Sequence, residues 1–168
     1  GVITVDAGKT FETTVEYKQG MEIDRGYLSP YFVTNQDTVE AIIEEPHILL
    51  TDKRLNWGHE LVPFLENFLK TSKSKNLVVF AGEVIEEAMA TLVVNKLRGN
   101  INICAIQSPA YGDRRKDELE DIAVLTGGQV ILEESGRELK SIQIEELGRA
   151  DKIVADRDKS VIVNGWGK

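Results

Sequence analysis

The densest apolar pattern lies at residues 84–98, VIEEAMATLVVNKLR. Wound at about 100° per residue, Ala88, Leu92, Ile85, Met89, Val93, Leu97, Ala90 and Val94 spread over roughly two-thirds of a helical wheel. A helix that rests one side on a core needs an apolar stripe only somewhat wider than about 100°. Glu87, Thr91, Asn95 and Arg98 make a plainly polar face, while Glu86 and Lys96 interrupt the apolar arc. Either this helix is buried nearly all round, or it keeps an apolar strip for something outside the core. In a small chain of net charge −8 the second reading is preferred.

A second helix is predicted over 60–70, where Leu61, Phe64, Leu65, Phe68, Leu69 and Val62 cover an arc of roughly 160°. His59, Glu66, Asn67 and Lys70 take its other side. Pro63 fits a helix without cost only in the first turn, which places the start near residue 60. A third helix over 112–125 turns Leu119, Ile122 and Leu125 inward and Arg114, Arg115, Lys116, Glu118 and Asp121 outward. Gly127-Gly128 supplies its cap.

Short apolar runs predict strands at 2–5 and 11–17 around an Asp6-Ala7-Gly8 turn, weakly at 39–43, and at 48–50, 77–81, 101–106 and 130–132. Residues 144–147 read as a short turn of helix. Residues 152–155 and 161–163 read as a closing hairpin around Arg157-Asp158. The Lys- and Ser-rich segment 71–76 reads as a solvated loop. Gly20 permits backbone angles that other residues avoid and is a candidate hinge. After it comes MEIDRGYLSPYFV, in which Tyr27, Leu28, Tyr31 and Phe32 crowd around Ser29-Pro30, with Pro30 holding the segment extended or turned. Those rings either plug a core or face a partner. Strands alternate with helices through the middle and dominate both ends, which predicts a mixed α/β or α+β domain with sheet on one side and helices on the other.

Composition narrows the functional classes. At 168 residues the chain is one domain, or one domain with an appendage, and can bury about 70% of its unfolded surface without disulfide or metal. Its hydrophobic fraction of 42% and charged fraction of 29% are ordinary for a globular protein. The acidic balance argues against nucleic acid as a partner, since phosphate contacts need clustered Lys and Arg. No apolar run approaches the ~18 residues of a membrane span, and no signal peptide opens the chain. The lone Cys104 precludes an internal disulfide and fits a reducing compartment; within INICAI it reads as a buried small hydrophobe. The start GVITVDAG lacks methionine, so the chain reads as a piece of something longer.

Catalytic chemistry has little to stand on. His47 and His59 lie in different elements without metal spacing. No nucleophile elbow or Cys–His pairing is suggested. NGWGK lacks the first glycine of a P-loop and a following helix, and reads as the exit of a hairpin. Glu44-Glu45, Glu86-Glu87 and Glu133-Glu134 read as solvated faces. GDRRKDELED can hold an anion at a helix start, but a helix of mixed surface charge is the plainer reading.

RGYLSPYFVTN, EEAMATLVVNKLRG, SPAYGDRRKDELEDIAVLTGG and LGRADKIV together resemble the apical domain of group I chaperonins, the GroEL-type ring chaperones. The resemblance runs over nearly the whole chain. It implies an α/β fold of mixed β-sheets flanked by helices, of the swivelling β/β/α type. It also implies that residues 1–19 resemble strands at the edge of the intermediate domain. Gly20 then sits at the hinge, and 20–168 form the polypeptide-binding apical domain without its last C-terminal helices. Its two cavity-facing helices match 60–70 and 85–98. The implied contacts for non-native polypeptides and for the mobile loop of a GroES-type co-chaperonin are Tyr27, Tyr31, Phe32, Val62, Leu65, Met89, Val93 and Val94, with Glu87 and Asn95 as polar neighbours. The family's ATPase, with its ATP and magnesium, belongs to parts absent from this sequence. The resemblance therefore implies a chaperone module that is no enzyme and holds no cofactor or metal. It would be monomeric by itself within a ring-forming parent, in the cytoplasm, or in the mitochondrial matrix or plastid stroma of a eukaryote. Trp57-Gly58-His59, Ala110 and Tyr111 depart from the family's usual residues. So do Val62 and Met89, each standing where leucine is common.

Overall fold

Burial through the whole length of a strand requires cover on both of its faces, and three runs meet that condition: 47–51, 76–81 and 102–107 are almost wholly buried. The computed structural model describes residues 20–108 and 112–167, with the backbone alone at 57–59. The strands predicted at 2–5 and 11–17, the unit 1–19, the side chains of Trp57 and His59, and Ala110 and Tyr111 lie outside the described residues.

The described elements are, in chain order, β1 (Met21–Ile23), β2 (Ala41–Glu44), β3 (His47–Thr51), β4 (Arg54–Leu55), α1 (Trp57–Thr71), β5 (Asn76–Ala81), β6 (Glu83–Val84), α2 (Glu86–Leu97), β7 (Asn102–Gln107), α3 (Gly112–Thr126), β8 (Val130–Ile131), β9 (Gly148–Ala155) and β10 (Ser160–Gly165). The protein is a mixed α/β structure with a mixed sheet and three helices among the described residues. The sheet runs β1-β10-β9-β3-β5-β7, with β2 also on β9 and β8 also on β3. β3, β5 and β7 are parallel, in the register Leu49↔Val79 and Val79↔Ala105. β9 joins the two halves. Its start pairs with β3 at Gly148 and Arg149, and its end pairs with β2 and β10.

The antiparallel half folds back over the parallel half, since β2 packs against β5 and β7 without being bonded to either. A sheet on one side with helices on the other therefore understates the layering. The reason is that apolar parallel strands need a second cover, and β2 and its neighbours provide one. α3 packs on β3, β8 and β9. It reaches the sheet backbone because Gly148 lacks a side chain; a Cβ there would collide with Thr126. Its C-terminus is closed by Gly127 in the left-handed conformation, φ 79°, whose N–H donates to the Ala123 carbonyl at 2.7 Å.

Two local expectations, both on helix starts, need correction, whereas the turn expected at Pro30 is present. α1 begins at Trp57, so Pro63 lies beyond the first turn and the carbonyl of residue 59 gives up its helical bond. The start is set by the β4 strand just before it, which outweighs the proline. Val84 belongs to β6, and α2 starts only after Ile85. Pro30 opens a 3-10 turn, Pro30–Phe32, with Ser29 Oγ accepting from the Tyr31 N–H at 3.2 Å.

Cys104 is fully buried in β7, and burial pushes its thiol up to about 12, so it is inert in the native state. His47 sits in β3 with its ring edge-on to Phe68 at 5.5 Å. Burial, and secondarily the charge of Arg149, lower its imidazole to about 4. The native ring is thus neutral where an unfolded one takes up a proton below about pH 6.5. Stability should fall by roughly 2–3 kcal/mol as pH drops from 6.5 toward 4. Urea midpoints across that range should show this slope, and His47→Gln should flatten it; a slope unchanged by the substitution would refute the assignment.

Candidate functional site

Two short strands bring the two apolar helices together. β4 and β6 pair in parallel, Arg54↔Glu83 and Leu55↔Val84, and each runs directly into a helix. The Ile85 N–H donates to the Leu55 carbonyl at 3.2 Å. Neither Asn56 nor Ile85 caps its helix with a side chain, so the ladder itself fixes both starts. The ion pair Arg54–Glu83, 3.5 Å apart and mostly exposed, adds little.

α1 buries Leu61, Phe64, Leu65 and Phe68 and leaves Leu69 37% exposed at the edge of its arc. α2 buries only Ala88 and Leu92, while Ile85, Met89 and Val93 are partly buried against the same core. The rest of its wide apolar arc is bare: Val94 is 43% and Leu97 65% exposed, and Ala90 is exposed beside them. Of the two readings of this helix, the structure bears out the one with a spare strip.

Two recesses open along these helices. One, of about 140 Å³, lies between them and is lined by Val62, Leu65, Glu66, Leu69, Thr91, Asn95 and Ile101. The other, about 310 Å³ and shallow, lies on the outer side of α2 against Glu87, Ala90, Thr91, Val94 and Asn95. They share Thr91 and Asn95, so the two recesses adjoin across α2 as a two-part groove. Its polar walls are already bonded to the helix. Thr91 Oγ1 donates to the Glu87 carbonyl at 3.0 Å. Asn95 Nδ2 donates to the Thr91 carbonyl at 2.8 Å, and Asn95 Oδ1 accepts from Asn100 at 3.2 Å. A ligand therefore meets apolar surface, the spare N–H of Asn95 and the carboxylates of Glu66 and Glu87. Glu66 and Glu87 are the only charged groups in the lining.

The implied contact residues divide into three sets. Val62, Leu65, Val94, Glu87 and Asn95 line the groove. Tyr31, 63% exposed, stands on the 3-10 turn that packs against α2 and β7. Met89 and Val93 are half-buried against the core, and Tyr27 and Phe32 lie inside it, 8% and 0% exposed. Tyr27 is held there by its N–H to the Asp156 carbonyl and its hydroxyl to the Val39 carbonyl, 3.0 and 3.3 Å. Of the two readings of the aromatic turn, core plug describes Tyr27 and Phe32, and open ring describes Tyr31. Gly20 precedes β1 directly.

Leu69, Glu66, Thr91, Ala90 and Ile101 also line the groove and were not singled out from sequence. Leu69 at the margin of the helical arc was the one readable signal. Among the described residues no cluster of three or more His, Cys, Asp or Glu side chains is placed to hold a metal ion. Comparison of the sequence with models of known protein families finds no match.

Burial separates the groove from the core in a way denaturation can read. Leu92→Ala should cost about 2–5 kcal/mol through loss of packing and the cavity left behind. Val94→Ser and Leu69→Ser should each change stability by no more than about 1 kcal/mol. A large loss for Val94→Ser in urea unfolding would place that side chain in the core instead.

Proposed function

We propose that this protein is a polypeptide-binding module of the chaperonin apical type, which captures exposed apolar segments of non-native proteins in the groove of α1 and α2. The single observation that carries the reading is the bare apolar strip of α2, which adjoins the inter-helix recess at Thr91 and Asn95. Two supports lie beside it: the residue strings that resemble group I chaperonins, and a mixed α/β arrangement, the broad class that family implies.

Apolar burial has no directional demand, so a groove whose uncharged polar groups are largely bonded accepts many apolar sequences. Two or three side chains buried from a client offer about 1.5–3 kcal/mol each, against the cost of ordering an unfolded segment. With at most about 9 kcal/mol before that cost is subtracted, a single module binds at micromolar affinity or weaker. A ring of such modules gains by effective concentration. Met89, half-buried against the core beneath α2, is unbranched and polarisable and lets that helix adjust as differing side chains bind. Tyr31 extends the contact surface on one flank. Tyr27 and Phe32 serve by holding the turn in place, and Val93 by supporting α2. In this reading a co-chaperonin loop competes for the same groove, and ATP and magnesium act only on other parts of a ring-forming parent.

The test is titration of a reduced, fluorescently labelled unfolded protein by anisotropy at low and high salt. Micromolar binding that persists at high salt, and weakens about tenfold in Leu69→Ser/Val94→Ser, is the expected result. Binding that disappears with salt would reflect surface charge and overturn the reading. Salt-resistant binding that the double substitution leaves intact would overturn the groove as its site. Absence of binding even at high protein concentration would favour a structural role, in which these apolar edges are covered by other parts of the same protein.

A further inference from the structure

We propose that Lys53 is a positioning residue that fixes α1 against α2 and thereby sets the width of the groove; only the predicted effect on affinity rests on the polypeptide-binding reading.

Lys53 is 5% exposed, an uncommon place for an ammonium group. It follows β3 and precedes β4, and it holds five neighbours at once. Its Nζ donates to the Arg137 carbonyl at 2.8 Å and lies 3.5 Å from Glu60 Oε2 in the opening turns of α1. Its own carbonyl accepts from the N–H groups of Gly82 and Glu83, at 3.1 and 3.3 Å, just before β6 leads into α2. Its N–H is taken by Thr51 Oγ1 at 3.0 Å, and that hydroxyl in turn donates to the Ile131 carbonyl at 2.7 Å. One residue thus reaches α1 by its side chain and the approach to α2 by its backbone, while tied to β3 and the segment after β8.

The other end of the pair is informative. Glu60 Oε1 is buried and has no hydrogen-bond partner among the described residues. A carboxylate so poorly supplied is a weak source of stability, since the cost of removing two charges from water offsets much of their attraction. What such a pair does supply is direction: an ammonium held by a fixed carbonyl accepts the carboxylate in one place only. Fixed geometry is worth affinity, because a groove at its binding width for only a fraction of the time loses affinity by that fraction.

The test separates position from stability. Lys53→Met/Glu60→Gln removes both charges, so neither is left buried alone, and its Tm should stay within about 4 °C of the parent. Spin labels at Lys70→Cys on α1 and Glu86→Cys on α2, both exposed positions outside the groove lining, report the spacing of the helices. The buried Cys104 stays unlabelled. The expected result is a broadened distance distribution in the double variant. Affinity for the reduced unfolded protein should fall about tenfold, as for a competent fraction of about one-tenth. A folded variant with the parent's distance distribution overturns the proposal, whatever its affinity. If the double variant does not fold, Glu60→Gln alone decides: broadened distances support the proposal, and parental distances overturn it. If the parent itself binds no unfolded protein while the distances still broaden, Lys53 keeps its role and the polypeptide-binding reading falls.

Discussion

Everything distinctive about this surface depends on a parallel ladder two residues long. Parallel strands usually sit deep in a sheet with both faces covered. β4 and β6 instead form a separate patch, anchored inward by the fully buried Leu55, and their use is to deliver two chain segments side by side. Once they are paired, α1 and α2 must start as neighbours. The large parallel core of β3, β5 and β7 supplies the stability, and the small ladder decides what is presented on top of it.

The division of labour shows in how the two helices spend their apolar residues. α1 places four large side chains in the core. α2 commits only an alanine and a leucine fully and leaves Val94 and Leu97 outside. Isolated exposed apolar residues are common on soluble proteins. A run of them beside a recess whose uncharged polar groups are largely bonded is a different matter, because away from Glu66 and Glu87 water there gains few hydrogen bonds in exchange for the apolar area it wets.

Much of the core was legible because its signal is local. Continuous apolar runs gave the buried strands to within one or two residues, and Gly127-Gly128 marked the end of α3. The spare strip of α2 was legible too, since a wheel that is too wide is visible without a structure. What escaped has no local signal. Arg54-Leu55 and Glu83-Val84 carry no strand pattern, so the ladder was invisible, and with it the true start of α1 ahead of Pro63. The aromatic turn failed differently. Rings at Tyr27, Tyr31 and Phe32 look alike in sequence, and only the hydrogen bonds of Tyr27 and the packing of Phe32 separate buried from open. Lys53 looks like any surface lysine until the chain folds around it.

Because both helices spring from the same ladder, the groove is clamped at its root; farther along, α1 is pinned by Phe68 in the core while α2 leaves Val94 and Leu97 bare, so α2 is the arm free to tilt. The 12 residues of α2 make a lever of about 18 Å. A tilt of about 5° at its root carries the far end by about 2 Å, roughly the difference between admitting a valine and admitting a leucine or phenylalanine. The clamped end then selects by shape while the free end tolerates bulk, so an apolar segment lying along the groove would be graded, small side chains toward the strands and large ones toward the tips.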